Sequence, residues 1–224
     1  MTDKFAAKTA RTIEPENDPR LSRETKKFLR ALNSPVPPEL EKLTPVEARK
    51  VLSDAQAAFE FDYSGIEESE KTIQSDGYEI RLNRVRPAGV AGILPVFIFI
   101  HGGGWVPGDY PTHRRMVRDL TIESGAAAFF VNYTPTPDAV YPQQIDEIYA
   151  ALRWVAENGG EIGVDGKIWR SYGRKLDEAG VPVTVARYDG MIHDFGLLNG
   201  LAHLPPVKSL FVQAGAELRR HLGR

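Results

Sequence analysis

Pro95-Val96-Phe97-Ile98-Phe99-Ile100-His101-Gly102-Gly103-Gly104-Trp105 joins an apolar run to three consecutive glycines. Residues 95–100 are continuously apolar and rich in β-branched and aromatic types, the pattern of a strand covered on both faces. Three glycines then follow without a spacer. Glycine accepts positive φ without a Cβ penalty and lets the backbone come close to a ligand. Consecutive N–H groups in such a turn can converge on a developing oxyanion, which needs donors rather than side chains. A bare triple glycine is more often a plain turn. The buried strand before it, the helical spacing after it and the flanking His101 and Trp105 favour the oxyanion reading at Gly102, Gly103 and Gly104.

Downstream of the glycines, residues 112–124 have helical spacing with Gly125 as a C-terminal stop. Residues 126–133 are predicted as a second buried strand. Residues 143–158 form a helix with Ile145, Ile148, Leu152 and Val155 on its apolar face, ended by Gly159 and Gly160. Upstream, residues 78–85 alternate as a half-buried strand. Downstream, the pattern predicts a helix over 172–179, a strand over 181–188 and an amphipathic helix over 207–222. Strands alternating with helices predict a mostly parallel sheet flanked by helices. Residues 1 to about 60 are helical instead, with helices over 21–32 and 44–59. The second opens on Thr44-Pro45-Val46-Glu47, a capping box with proline at the first helical position. This gives an N-terminal helical segment over 1–69, either a cap over a site or a plain extension, and a core over 70–224.

Composition excludes several function classes. The 224 residues hold 28 Lys and Arg against 30 Asp and Glu, a net charge of −2, which argues against a nucleic-acid partner. There is no cysteine, hence no disulfide, thiolate metal site or cysteine nucleophile. No histidine spacing fits a metal motif, and His113, His203 and His221 are expected at the surface. No cofactor is implied: a P-loop lysine and G-x-G-x-x-G spacing are both missing, which disfavours nucleotide binding. The first twenty residues lack the apolar core of a signal peptide, and the longest apolar run, 91–100, is too short to span a bilayer. A cytoplasmic protein with no membrane span is expected; self-association into a homo-oligomer is left open.

On these residues the chain resembles the hormone-sensitive-lipase family of α/β-hydrolases, the HGGG-type carboxylesterases. A second landmark is Tyr133-Thr134-Pro135-Thr136-Pro137-Asp138-Ala139-Val140-Tyr141-Pro142, where the family usually reads Tyr-Arg-Leu-Ala-Pro-Glu, an aromatic and Pro. The frame is kept, although Thr134, Pro135 and Thr136 depart from it. Residues 149–155 and 161–165 resemble the next helix and its exit loop. Tyr188-Asp189-Gly190-Met191-Ile192-His193-Asp194-Phe195 resembles the loop of the catalytic histidine, and so implies His193 as the inherited general base. The likeness covers about 70–167 and 171–222. It implies a small-molecule, ester-like ligand, with Trp105 and Tyr141 lining an acyl pocket or simply packing in the core.

One part of the family pattern does not appear. Val164-Asp165 should lead into a strand ending at Gly-Asp-Ser-Ala-Gly-Gly, the sharp turn that carries the nucleophile. The chain reads Gly166-Lys167-Ile168-Trp169-Arg170-Ser171-Tyr172-Gly173 instead. Around a junction near 167–172, the serine elbow and the strand ending in the triad aspartate are missing, on the order of a hundred residues at the usual size of a βα unit. The expected fold is therefore a truncated α/β-hydrolase. Ser171 is a weak nucleophile candidate that reads better as a helix N-cap. Asp194, next to His193, is not expected to replace the acid, because neighbours on a loop seldom point the same way. A lost serine strand would bare the apolar edge of 95–100, and the expected repair is parallel pairing with 181–188. Such pairing would bring His193 to the sheet end that holds Gly102 and Gly103. The expected function is a carboxylic-ester hydrolase lineage, inactive or very weak; a non-catalytic pseudo-hydrolase binding ester-like ligands and a non-functional truncated product are the alternatives.

Overall fold

A computed structural model describes residues 14–34, 42–165 and 186–223. Two helices open it: α1, Arg23–Leu32, capped by Ser22, and α2, Pro45–Ala57, whose Thr44 and Glu47 form the predicted capping box. The sheet follows, with β1 Ile66–Ser75, β2 Tyr78–Pro87, β3 Val96–Phe99 and β4 Ala127–Asn132 in the order β1-β2-β4-β3. Between the last two strands runs α3, Tyr110–Ser124; α4, Gln143–Asn158, and α5, Pro205–Leu222, follow among the described residues.

The α/β architecture is as expected, and the predicted stop at Gly125 is a left-handed cap. Strand periodicity explains the layering. Val96, Phe129, Val131, Ile80 and Leu82 face α4, packing with Ala150, Ala151 and Val155. The alternate residues Phe97, Ala128, Phe130 and Val85 face α3 and α5, against Tyr110, Val117 and Leu218. A third apolar cluster joins Phe28 of α1 to Leu201, Leu204, Val207 and Phe211.

Several expectations need correction. Among the described strands, β3 and β4 pair in parallel, whereas β1 with β2 and β2 with β4 are antiparallel, so the described sheet is mixed rather than mostly parallel. Strand β1 was not predicted and straddles the 69/70 boundary. Nearly all its side chains are exposed at the sheet edge, so it carries no apolar alternation. On α4 the buried face is Gln144, Glu147, Ala150, Ala151 and Val155, whereas Ile145 is 44% exposed. The polar pair turns inward because it holds the preceding loop: Glu147 accepts from the Thr134 N–H at 2.6 Å and Gln144 donates to the Ala139 carbonyl at 3.0 Å. The predicted helix over 172–179, the junction and most of the 181–188 strand lie outside the described residues; Ala186, Arg187 and Tyr188 are in no strand. Among the described residues, no helix is long and apolar enough to cross a membrane.

Candidate functional site: the glycine loop and the histidine loop

The glycine loop leaves the C-terminal end of β3 and enters α3 through Asp109, whose side chain caps that helix. Gly103 and Gly104 have φ of +116° and +60°, and Trp105 is left-handed as well, at +67°. A Cβ on Gly103 would stand 2.2 Å from the Pro107 carbonyl oxygen, so glycine is required there by both conformation and space. At Gly102 nothing lies within 4 Å of such a Cβ. The Val106 N–H closes a turn onto the Gly103 carbonyl at 3.2 Å. Among the described residues no acceptor takes the N–H groups of Gly103 and Gly104, the arrangement an oxyanion needs.

Behind the loop is a buried aromatic stack. His101 lies flat against Tyr133, centroids 4.3 Å apart at 9°, and against Phe130 at 5.4 Å and 2°. Its Nδ1 is 2.8 Å from the Gly102 carbonyl oxygen, a contact that places a proton on that nitrogen. The Tyr133 hydroxyl donates to the His101 carbonyl at 3.0 Å, and burial pushes that phenol up to about 12. His101 thus shapes the loop from beneath. Gly108 is obligatory for the same reason, since a Cβ there would meet His101 Nδ1 at 2.5 Å.

His113 corrects the expectation of a surface histidine. It is buried on α3, its ring 5.2 Å from that of His101 and its Nδ1 3.1 Å from the Asp109 carbonyl oxygen. Desolvation, aided by His101, pushes its pKa down to about 4. An unfolded histidine titrates near 6.5, so between those values the unfolded chain takes a proton that the folded chain refuses. Stability from this group is complete above about pH 6.5 and is lost as pH falls towards 4, on the order of 2 kcal/mol. Urea titrations at pH 7 and pH 4.5 measure the loss. A His113→Phe variant with the same pH slope as the parent would show that this histidine is not its source.

The histidine loop lies between Gly190 and the single-turn helix Asn199–Leu201. Gly190 anchors it to α1: its carbonyl accepts from the Ser22 N–H and the Thr25 hydroxyl, each at 2.9 Å. His193 is 94% exposed on its side chain, and its Nδ1 is 3.1 Å from a carboxylate oxygen of Asp194. The sequence argued against that partnership; with Asp194 left-handed, at φ +62°, its carboxylate does meet its neighbour. No hydrogen bond or ring contact joins His193 to the glycine loop among the described residues. Ser171 lies outside them. Trp105 is part exposed, its ring edge-on to Tyr133 at 5.3 Å, and Tyr141 is 84% exposed, away from any core packing. Among the described residues, no group of three or more His, Asp or Glu is placed to hold a metal ion.

Sequence reading missed Arg49, on α2. Its guanidinium donates to the Val106 carbonyl at 3.1 Å and the Thr136 carbonyl at 2.8 Å, and pairs with Asp138 at 3.3 Å. The Thr136 N–H in turn donates to the Trp105 carbonyl at 2.8 Å. Nothing in helical periodicity distinguishes such an arginine from a solvated one.

Comparison with known proteins bears on this site. The family profile of the alpha/beta hydrolase fold matches residues 97–169. The chain is 32% identical over 140 residues to a protein of Acanthamoeba polyphaga mimivirus named as an alpha/beta hydrolase, across 62% of this chain and 39% of that one. It is 39% identical over 97 residues to the carboxylesterase NlhH of Mycobacterium tuberculosis, across 43% and 30%. The chain thus spans well under half the length of these curated relatives. A thermostable esterase from Pseudomonas putida superposes with a TM-score of 0.85 at 36% identity, over 92% of this chain and 99% of that one. With the glycine loop, the strand order around it and this likeness together, the chain belongs to the α/β-hydrolase fold family, in its hormone-sensitive-lipase-like lineage.

Proposed function

We propose that this chain is a carboxylesterase-lineage protein that keeps the site for an ester-like acyl group and turns esters over weakly or not at all. The observation that carries this reading is the glycine loop. Gly103 and Gly104 keep conformations that only glycine holds easily, with N–H groups that no described acceptor takes. Such donors bind the oxygen of an ester carbonyl or a carboxylate whether or not a nucleophile is present. The carboxylesterase and esterase relatives support a small ester as the ligand class.

The sequence supports the second half of the reading. A serine attacks an ester only when a base takes its proton and an acid orients that base. Here no serine stands in a G-x-S-x-G frame. His193 has Asp194 beside it, but both side chains are largely in water, where the pair gains little. Loss of a complete triad lowers turnover by about a million-fold while oxyanion donors still supply some rate over water.

Incubation with a fluorophosphonate probe and an assay with p-nitrophenyl butyrate test both halves, alongside titration of butyrate followed by amide shifts of Gly103 and Gly104. Expected are no serine labelling, hydrolysis barely above buffer, and butyrate shifts confined to the loop. Stoichiometric labelling with rapid turnover would sink the reading, and labelling lost in Ser171→Ala would place the nucleophile at Ser171.

A further inference from the structure

No hydrogen bond or ring contact joins the two loops of the site among the described residues, yet one helix holds both. Arg49 and Gln56 are seven residues apart on α2, two turns along one face, a separation of about 10 Å. At one end, the Arg49 guanidinium forks onto Val106 and Thr136, the carbonyls that flank the glycine loop. At the other, the buried Gln56 amide is fully engaged. Its Nε2 donates to the Leu197 carbonyl at 2.9 Å and the Thr112 carbonyl at 2.6 Å, and its Oε1 accepts from the Asn199 N–H at 2.9 Å. The Gln56 carbonyl also accepts from Asn199 Nδ2, at 3.3 Å. Leu197 and Asn199 end the histidine loop, and Thr112 begins α3, which the glycine loop enters.

We infer that Arg49 and Gln56 are positioning residues, and that α2 is the spacer that fixes the glycine loop relative to the histidine loop. The chemistry of each contact fits that role. A planar guanidinium can serve two carbonyls at once with fixed geometry, which an ammonium cannot. A buried glutamine with every polar group used tolerates no shift, because any displacement leaves a donor or acceptor unsatisfied. A helix between them is stiff along its axis, so neither loop moves against the other without breaking one set. The N-terminal segment is then a structural part of the site rather than an appendage. This rests on the reading of the glycine loop as an acyl-oxygen site.

Hydrogen exchange of the full chain, resolved by residue, tests the inference in Arg49→Met, Arg49→Lys, Gln56→Met and a control, Lys50→Met, which removes only the exposed pair with Asp54. Arg49→Met and Arg49→Lys are expected to raise exchange about tenfold at residues 102–106 and 134–136, with 196–199 changed by less than about twofold. Gln56→Met is expected to do the reverse, and Lys50→Met neither. Rescue by Arg49→Lys would reduce Arg49 to its ion pair with Asp138 and overturn the inference. So would increases spread evenly over β2 and β4, which mark general destabilisation, or no change in either loop. Butyrate titration of the unmodified chain keeps the two readings apart. Its failure removes the acyl-oxygen site, while the exchange pattern still decides whether α2 spaces the loops.

Discussion

Replacing Gly103 by alanine is expected to cost on the order of 3 kcal/mol and to abolish butyrate-induced shifts in the glycine loop. Two separate penalties add at this position. The backbone sits at φ +116°, where an L side chain is strained, and the new methyl would lie 2.2 Å from the Pro107 carbonyl oxygen. That oxygen belongs to the main chain of the same loop, so it cannot swing aside as the tip of a flexible side chain would. The loop must therefore open, which displaces the Gly103 and Gly104 N–H groups. Gly102→Ala is the internal contrast, because its Cβ meets nothing within 4 Å and its φ is not positive. It is expected to change stability by less than about 1 kcal/mol. Thermal and urea unfolding of the two variants, side by side, measure the difference; equal values would mean that the turn at Gly103 is not held by Pro107.

Arg115→Met is expected to destabilise the chain by about 3–5 kcal/mol, a fall in Tm of roughly 10 °C for a protein of this size. Arg115 is only 1% exposed. Its Nε donates to Asn199 Oδ1 at 3.0 Å, one terminal nitrogen pairs with Asp119 at 3.0 Å, and the other donates to the Gly196 carbonyl. Its guanidinium also lies 5.4 Å from the Phe211 ring. Burial lowers its affinity for its proton, and Asp119 opposes that shift. Methionine fills similar volume but leaves the Gly196 carbonyl and Asn199 Oδ1 without that donor in the interior. Asp119 retains Arg118 at 2.8 Å, so the loss falls chiefly on the histidine loop. Urea unfolding gives the magnitude. A variant within about 1 kcal/mol of the parent would show that water replaces the guanidinium and that the network is dispensable.

Both variants act on loops, and the sequence disclosed those loops unequally. The glycine loop was legible because its chemistry is carried by residue type: three glycines after a buried strand leave few other conformations. The helices were legible where caps are written locally, as at Thr44 with Glu47 and at Gly125. Strand β1 was not, because an exposed edge strand needs no apolar alternation. His113 looked like a surface residue because its α3 position carries charged neighbours at Arg114 and Arg115; only the approach of His101, Phe99 and Phe130 buries it. The inward face of α4 misled for a related reason. Periodicity assigns Ile145 to the core, but Gln144 and Glu147 have unpaired loop amides and carbonyls to satisfy, and that requirement turned the helix.

The α/β class, the position of the glycine loop after β3 and the missing G-x-S-x-G frame all follow from residue identity at neighbouring positions. Only the tertiary fold stacks His101 on Tyr133 and Phe130 with His113 tilted beside it, brings Asp194 to His193, and ties both loops to α2 through Arg49 and Gln56. Those contacts join residues up to 143 positions apart, and their geometry is set by where helices dock on the sheet. Local propensity carries no record of that docking, because the same arginine or glutamine on a solvated helix would have the same neighbours in sequence.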